Sequence, residues 1–478
     1  MKIKHPIIIQ GGMGIAVSGW QLARSVSQTG QLGIVSGTAI NSVLVRRLQD
    51  GDVGGHCRRA LAAFPSPSIA QKILTDYFIE GGKAPDKAYK RAPMFSLESS
   101  VGLLQLTVAS SFVEVWLARE GHNGLVGVNL LEKIHLPNLA CLYGAMLAGA
   151  DYVIMGAGIP REIPGALDLF AKNEKATLKV PVAGSNEDAI TSFDPKIVME
   201  DTPLVPLKRP YFLPIVSSAV LAMNLKKKSN GRVDGFIVEG PLAGGHNAPP
   251  RGPMKLNERG EPIYGVRDEV SLEDMAALEL PFWMAGDYAY PHKLKEVQAL
   301  GAQGIQVGTL FAFSEESGVD QTLKHEAIHT VLHTEAPEGG WIFTDPRSSP
   351  TGFPFKAARI PGSISEPAMY ADRKRICDLG YLRHQYRRED GAIGQRCPAE
   401  PVNDYIKKGG LEEDTVGRKC LCNSLMADIG MAQIQAGGRK EMHLLTAGDD
   451  LNKIVRVMKP GAETYSAKDV VSYLLSET

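Results

Sequence analysis

Eight short apolar runs rich in β-branched residues, most of them closing on glycine, recur through the first two-thirds of the 478-residue chain. They lie at residues 7–12, 32–37, 125–130, 152–158, 212–218, 233–240, 281–286 and 304–309. Apolar runs without polar alternation are buried on both faces, as in a parallel sheet. Helix-like stretches separate several of them, at 138–148, 219–227 and 291–300. Eight strands alternating with helices predict an α/β fold, a (β/α)8 TIM barrel, whose chemistry gathers at the C-terminal ends of the strands. The glycines fall at those ends, where the backbone turns tightly or approaches a ligand. A doubly wound open sheet would open its first helix with Gly-x-Gly-x-x-Gly, which this chain lacks.

Long interruptions in such a repeat are commonly lids or interface elements. One insertion, near 41–120, follows the second strand and reads as mostly helical; another, near 175–211, follows the fourth and carries strand-like pieces at 177–182. The barrel is therefore expected over 1–335 and a turn-rich C-terminal cap over 336–478, the latter holding four of the six cysteines. With 52 Lys plus Arg against 53 Asp plus Glu, the net charge is −1, and no basic run is longer than Lys226-Lys227-Lys228. That balance gives nucleic acid no field to bind. No apolar run approaches the roughly 18–20 residues of a spanning helix. Six cysteines are also too sparse for a disulfide scaffold, so a cytoplasmic setting away from the membrane is expected.

The last two strands resemble a phosphate grip. Met284-Ala285-Gly286-Asp287 ends one, and Gln306-Val307-Gly308-Thr309 ends the next. Glycines there expose backbone N–H groups, and the loops after strands seven and eight are the usual phosphate site of a barrel. The plainer reading is that these glycines only permit close packing. After the sixth strand, Gly244-Gly245-His246 places an imidazole on a glycine-rich loop at the barrel mouth, suited to general acid or base work.

Gln10-Gly11-Gly12-Met13-Gly14, Gly127-Val128-Asn129, Gly244-Gly245-His246 and Gln306-Val307-Gly308-Thr309 together resemble the nitronate monooxygenase family. That family also includes FMN-dependent enoyl-acyl carrier protein reductases and NAD(P)H:quinone reductases. The resemblance runs from Ile7 to about Phe311, and residues 349–356 are similar to a segment of some relatives. It implies an FMN barrel in which Gly12 and Met13 line the flavin ring, and Asn129, Glu239 and Gly244 bracket ring and ribityl groups. Gly286, Gln306, Val307, Gly308 and Thr309 would hold the phosphate, and His246 would be the active-site histidine. The implied activity is oxidation of a small nitronate-like substrate with oxygen. The alternative on the same barrel is an NAD(P)H-dependent reductase of a quinone or of an enoyl thioester on an acyl carrier or CoA. Homo-oligomers are compatible with either. Two positions depart from the pattern: Asp287 stands where many relatives have a second glycine, and Glu239 where nitronate enzymes often have Gln. From another class, a phosphate-binding isomerase or aldolase would fit the last two strands but leave the Gln10–Gly14 and Gly244–His246 motifs without a purpose.

Three further patterns compete. His325-Glu326-Ala327-Ile328-His329 fits the H-E-x-x-H zinc-protease signature, but position 335, where the extended form needs histidine, is Glu. It also falls where an outer barrel helix belongs. Cys377, Cys397, Cys420 and Cys422 could hold zinc or an iron–sulfur cluster, or be buried thiols. Arg373, Lys374, Arg375, Arg383, Arg387 and Arg388 read either as a solvated face or as a docking patch for an acidic carrier.

Overall fold

The computed structural model describes residues 5–476. Its centre is an eight-stranded, all-parallel sheet: β1 (Ile8–Gln10), β2 (Gly33–Ser36), β3 (Val126–Leu131), β4 (Tyr152–Gly156), β5 (Tyr211–Val216), β6 (Phe236–Glu239), β7 (Phe282–Ala285) and β8 (Gly304–Val307). Strands pair in chain order from β2 to β8, and β8 returns to β1 with Gln10 opposite Val307. The ring closes where Ile9 bridges Leu32 and the Gln10 N–H donates to the Leu32 carbonyl at 3.0 Å. All eight runs read from the sequence are these strands.

Burial on both faces explains why the runs do not alternate in polarity. Ile9, Ile34, Ile154, Leu213, Ile237 and Trp283 fill the barrel interior, while their neighbours Ile8, Val35, Val153, Phe212, Val238 and Met284 pack outward under the helices. The N-terminal end is stoppered: the Trp283 indole N–H donates to the Pro6 carbonyl at 2.9 Å, and His5 Nδ1 meets the Tyr152 hydroxyl at 2.9 Å. Only the opposite end, where the glycines lie, is left for chemistry.

The first insertion is helical as expected, with helices at Ile40–Gln49, His56–Ala62, Pro67–Tyr77 and Val101–Arg119. The last of these corrects the membrane reading, because its 19 residues are long and apolar enough to cross a bilayer. Here 72% of its apolar window is buried, and its one acid, Glu114, accepts from the Trp20 N–H at 3.1 Å and pairs with Arg47. In the fold it is a core helix packed on Trp20–Gln28 and His135–Leu147. The second insertion forms an antiparallel hairpin, Ala176–Val180 with Ala189–Phe193.

Residues after 335 are woven into the barrel mouth. Phe355–Ala358 pairs with Ile342–Asp345 on one side and with Gly245–His246 of the β6 loop on the other. His384–Arg387 pairs with Ile393–Arg396 and, in parallel, with Val182–Ala183 of the second insertion. The final helix, Ala467–Leu474, lies against Trp20–Gln28.

Candidate active site

A cavity of about 230 Å³ opens at the C-terminal ends of the strands. Every residue singled out for a site lines it: Gly12 and Met13 after β1, Asn129 in β3, Glu239 ending β6, and Gly244 and His246 beyond it. Gly286 follows β7, and Gln306 through Thr309 close β8.

The glycines divide into two kinds. A Cβ at Gly12 would sit 2.2 Å from the Asn129 Cβ, so this glycine is demanded by packing, and Asn129 Nδ2 donates to its carbonyl at 3.2 Å. At Gly308 a Cβ would meet only Met13 Sδ at 3.6 Å, so the protein itself does not exclude a side chain there. Gly244 is different again. A Cβ would strike the Ala447 carbonyl carbon at 2.7 Å, because residues 446–448 cross directly over it.

That crossing segment forms a roof. The Thr446 hydroxyl accepts from the Gly245 N–H at 2.9 Å, and the Gly448 N–H donates to Thr309 Oγ1 at 3.0 Å. Both contacts tie the β6 and β8 loops to residues some 140–200 positions away. No local pattern could have announced them.

His246 is held on three sides. Its backbone pairs with Phe355, its ring meets the Phe355 ring edge-on at 4.9 Å, and Nε2 lies 2.7 Å from Ser349 Oγ. Ser349 Oγ is 2.8 Å from Thr351 Oγ1, which accepts from Lys133 Nζ at 3.0 Å. Desolvation, reinforced by the Lys133 charge, drives the His246 pKa well below its ordinary range, so the imidazole is neutral at physiological pH. Burial also brings Lys133 down to about 7, against the weaker pull of Glu132. The pair is thus joined by two hydroxyls, and Lys133 faces a second cavity lined by His135, Phe353 and Arg383. Ser349, Thr351 and Lys133 escaped the sequence reading; the one available signal was the Ser349–Lys356 segment.

The acids of the wall are all quenched. Burial pushes Glu239 up to about 8 and Asp428 up to about 8, so both are protonated at neutral pH. Asp450 pairs with Arg456 at 3.0 Å. Asp287, left-handed at φ +55°, turns its carboxylate to Lys293 at 2.8 Å and Lys453 at 3.6 Å. The backbone shape explains why glycine suits that position, and the two lysines explain how an acid is tolerated beside an anion site. Gln306 Oε1 is buried with no hydrogen-bond partner among the described residues.

The competing motifs resolve differently. His325 and Glu326 are exposed on the outer helix Gln321–His333, away from the cavity. Within the basic cluster Arg373 is turned inward, its side chain 3% exposed and bound to Glu441 at 2.8 Å, whereas Lys374, Arg387 and Arg388 are exposed.

Residues 202–334, which carry β5 to β8 and the helix after them, match the nitronate monooxygenase family model. A probable nitronate monooxygenase of Staphylococcus haemolyticus (strain JCSC1435) is 32% identical over 99 residues, 20% of this chain and 26% of that protein. A (3aS,4S,5R,7aS)-5-hydroxy-7a-methyl-1-oxo-octahydro-1H-indene-4-carboxyl-CoA dehydrogenase of Rhodococcus jostii (strain RHA1) is 30% identical over 114 residues, 24% of this chain and 28% of that protein. The aligned parts thus span about a quarter of the length of these curated relatives. Among solved structures, FabK from Thermotoga maritima aligns over 99% of this chain and 93% of its own, with a TM-score of 0.47 and 16% identity. The residues that match this family model supply Glu239, the Gly244–His246 loop, Gly286 and the β8 end.

Proposed function

We propose that the protein is a cytoplasmic FMN-dependent oxidoreductase of the nitronate monooxygenase type, acting on a small nitronate-like substrate with oxygen. The observation that carries this reading is the His246 imidazole, held by Ser349 at 2.7 Å, in a cavity whose other walls are the glycine ends of β1, β7 and β8.

The residues present fit the cofactor. Gln306 carries a buried side-chain amide whose oxygen has no partner among the described residues and whose N–H₂ would serve a phosphate, a Cβ at Gly308 would touch only Met13 Sδ at 3.6 Å, and Asp287 and Asp450 are paired with lysine and arginine. Gly12 and Met13 would meet the ring through backbone, Asn129, Glu239 and Gly244 would border ring and ribityl chain, and Gly286 with Gln306, Val307, Gly308 and Thr309 would hold the phosphate. When bound, FMN supplies the electron chemistry. The chain's own task is protonic. His246 takes the proton from the carbon bearing the nitro group, and Ser349 and Thr351 connect that imidazole to Lys133, whose pKa of about 7 lets it give or take a proton near neutrality.

The test separates proton removal from the rest. His246→Ala should keep its flavin and lose about 10²–10⁴ in turnover of a neutral nitroalkane. It should lose far less with the preformed nitronate, which has no such proton to give up. Unchanged turnover of the nitroalkane would sink the role of His246.

A second reading has one observation in its favour. Glu239, protonated at pH 7, is a proton donor at the mouth, which reduction of an enoyl thioester by NAD(P)H requires. Oxidation of NAD(P)H dependent on a 2-enoyl thioester, with no oxygen uptake on nitronate, would select it.

A further inference from the structure

The four cysteines beyond residue 335 come from three separate pieces of chain. Cys377 lies in the loop after helix Pro367–Asp372, and Cys397 directly follows strand Ile393–Arg396. Cys420 precedes helix Leu421–Ala427, and Cys422 sits in its first turn. All four line one cavity of about 10 Å³, together with Pro350 and Arg383. Twenty or more residues separate Cys377, Cys397 and Cys420, so the convergence is a property of the fold.

Mutual packing sets these four apart from the other two. Cys397 and Cys420 share one small buried cluster with Cys422 packed against it, and Cys377 lines the same cavity. Cys141 instead points toward the Gly37 carbonyl at 3.9 Å, and Cys57 is buried in the main core.

Charge at the cluster points the same way. Arg383 and Glu400 line the cavity, and Lys408 neutralises Glu400 at 2.7 Å. The Arg383 guanidinium donates to the Gly380 and Phe95 carbonyls and has no acid partner among the described residues. A metal bound by four thiolates carries negative charge that such a guanidinium balances.

We propose that Cys377, Cys397, Cys420 and Cys422 form a four-thiolate site for a single Zn²⁺ ion, separate from the flavin chemistry of the barrel mouth. A cavity near 10 Å³ admits roughly one water-sized sphere, which suits one ion better than a multi-iron cluster. No three of the sulfurs lie mutually within 4.8 Å. Zinc bonds of 2.3 Å give a tetrahedron with edges of about 3.8 Å, so binding draws the side chains inward. Four S–H protons pass to solvent as four Zn–S bonds form, with no change of oxidation state. The site would pin the hairpin that pairs with Val182–Ala183 to the helix at 421–427, beside Pro350 and thus next to the Ser349 that holds His246.

Metal analysis of the full-length purified protein tests this. About one zinc per chain is expected, with uptake of Co²⁺ in its place giving the visible bands of tetrahedral thiolate coordination. Cys397→Ser and Cys422→Ser should lose the metal, whereas Cys57→Ser and Cys141→Ser should retain it. Should the first pair fail to fold, titrating native wild-type thiols with a mercurial must release zinc stoichiometrically to an indicator dye. Protein that is metal-free and takes up neither Zn²⁺ nor Co²⁺ would overturn the proposal, as would iron with acid-labile sulfide.

Discussion

His246 Nε2 lies 2.7 Å from Ser349 Oγ, a contact between the loop after β6 and a segment 103 residues further along the chain. Through Thr351 the same chain of hydroxyls reaches Lys133, in the loop after β3. The catalytic imidazole of the proposed reaction is therefore held and tuned by residues that lie outside its own motif.

Lys133→Met should move the acid limb of the pH–rate profile to higher pH. The Lys133 charge helps hold the His246 pKa down, so removing it lets that pKa rise toward its ordinary value, although desolvation still depresses it. Ser349→Ala should instead lower turnover about tenfold without that shift, the expected cost of losing one hydrogen bond of 1–1.5 kcal/mol. Steady-state rates from pH 5 to 9 distinguish the two.

Glu239 should govern cofactor affinity at alkaline pH. It is protonated up to about pH 8 because burial disfavours its charge, and above that a carboxylate appears in the cavity wall. FMN affinity should therefore fall as pH rises through 8 in the wild type and stay level in Glu239→Gln. Fluorescence titration of released and rebound flavin measures both.

The two glycines of the mouth should respond in opposite ways. Gly12→Ala drives a Cβ into Asn129 and should cost about 1–3 kcal/mol of stability, the usual price of overpacking. Gly308→Ala makes only an ordinary contact with Met13 Sδ, at 3.6 Å, and should leave the melting temperature unchanged while weakening FMN binding. Melting curves paired with flavin content separate a packing role from a binding one.

Asp428 should make the fold less stable as pH rises. Its folded pKa is raised from 3.8 to about 8 by burial, so the unfolded chain releases its proton first. Its contribution is fully present below about pH 4 and is lost progressively up to about pH 8, at up to about 1.4 kcal/mol per pH unit. Asp428→Asn keeps an acceptor for the Leu444 N–H and should flatten that slope in denaturant titrations from pH 5 to 8.

The barrel was legible because its evidence is local. Ile7 to Ile9 or Phe236 to Val238 announce doubly buried strands through continuous apolar character, and glycines mark their ends. The floor of the cavity, from Gly12 and Asn129 to Gln306 and Gly308, came with them. Its roof did not, since Thr446, Gly448 and Ser349 reach the mouth through backbone and hydroxyl contacts that leave no pattern at their own positions. Helix Val101–Arg119 does not read as an apolar span because Gln105, Thr107, Ser110, Ser111 and Glu114 interrupt it; most of these polar side chains bond within the fold, Thr107 and Ser110 to carbonyls one turn back.

The most direct test of the central claim is the visible absorption spectrum of the purified protein, followed by mass analysis of what acid releases. A flavin spectrum with about one FMN per chain is predicted. A colourless protein that takes up no added FMN would contradict the flavin barrel and return the phosphate grip of β7 and β8 to an isomerase or aldolase.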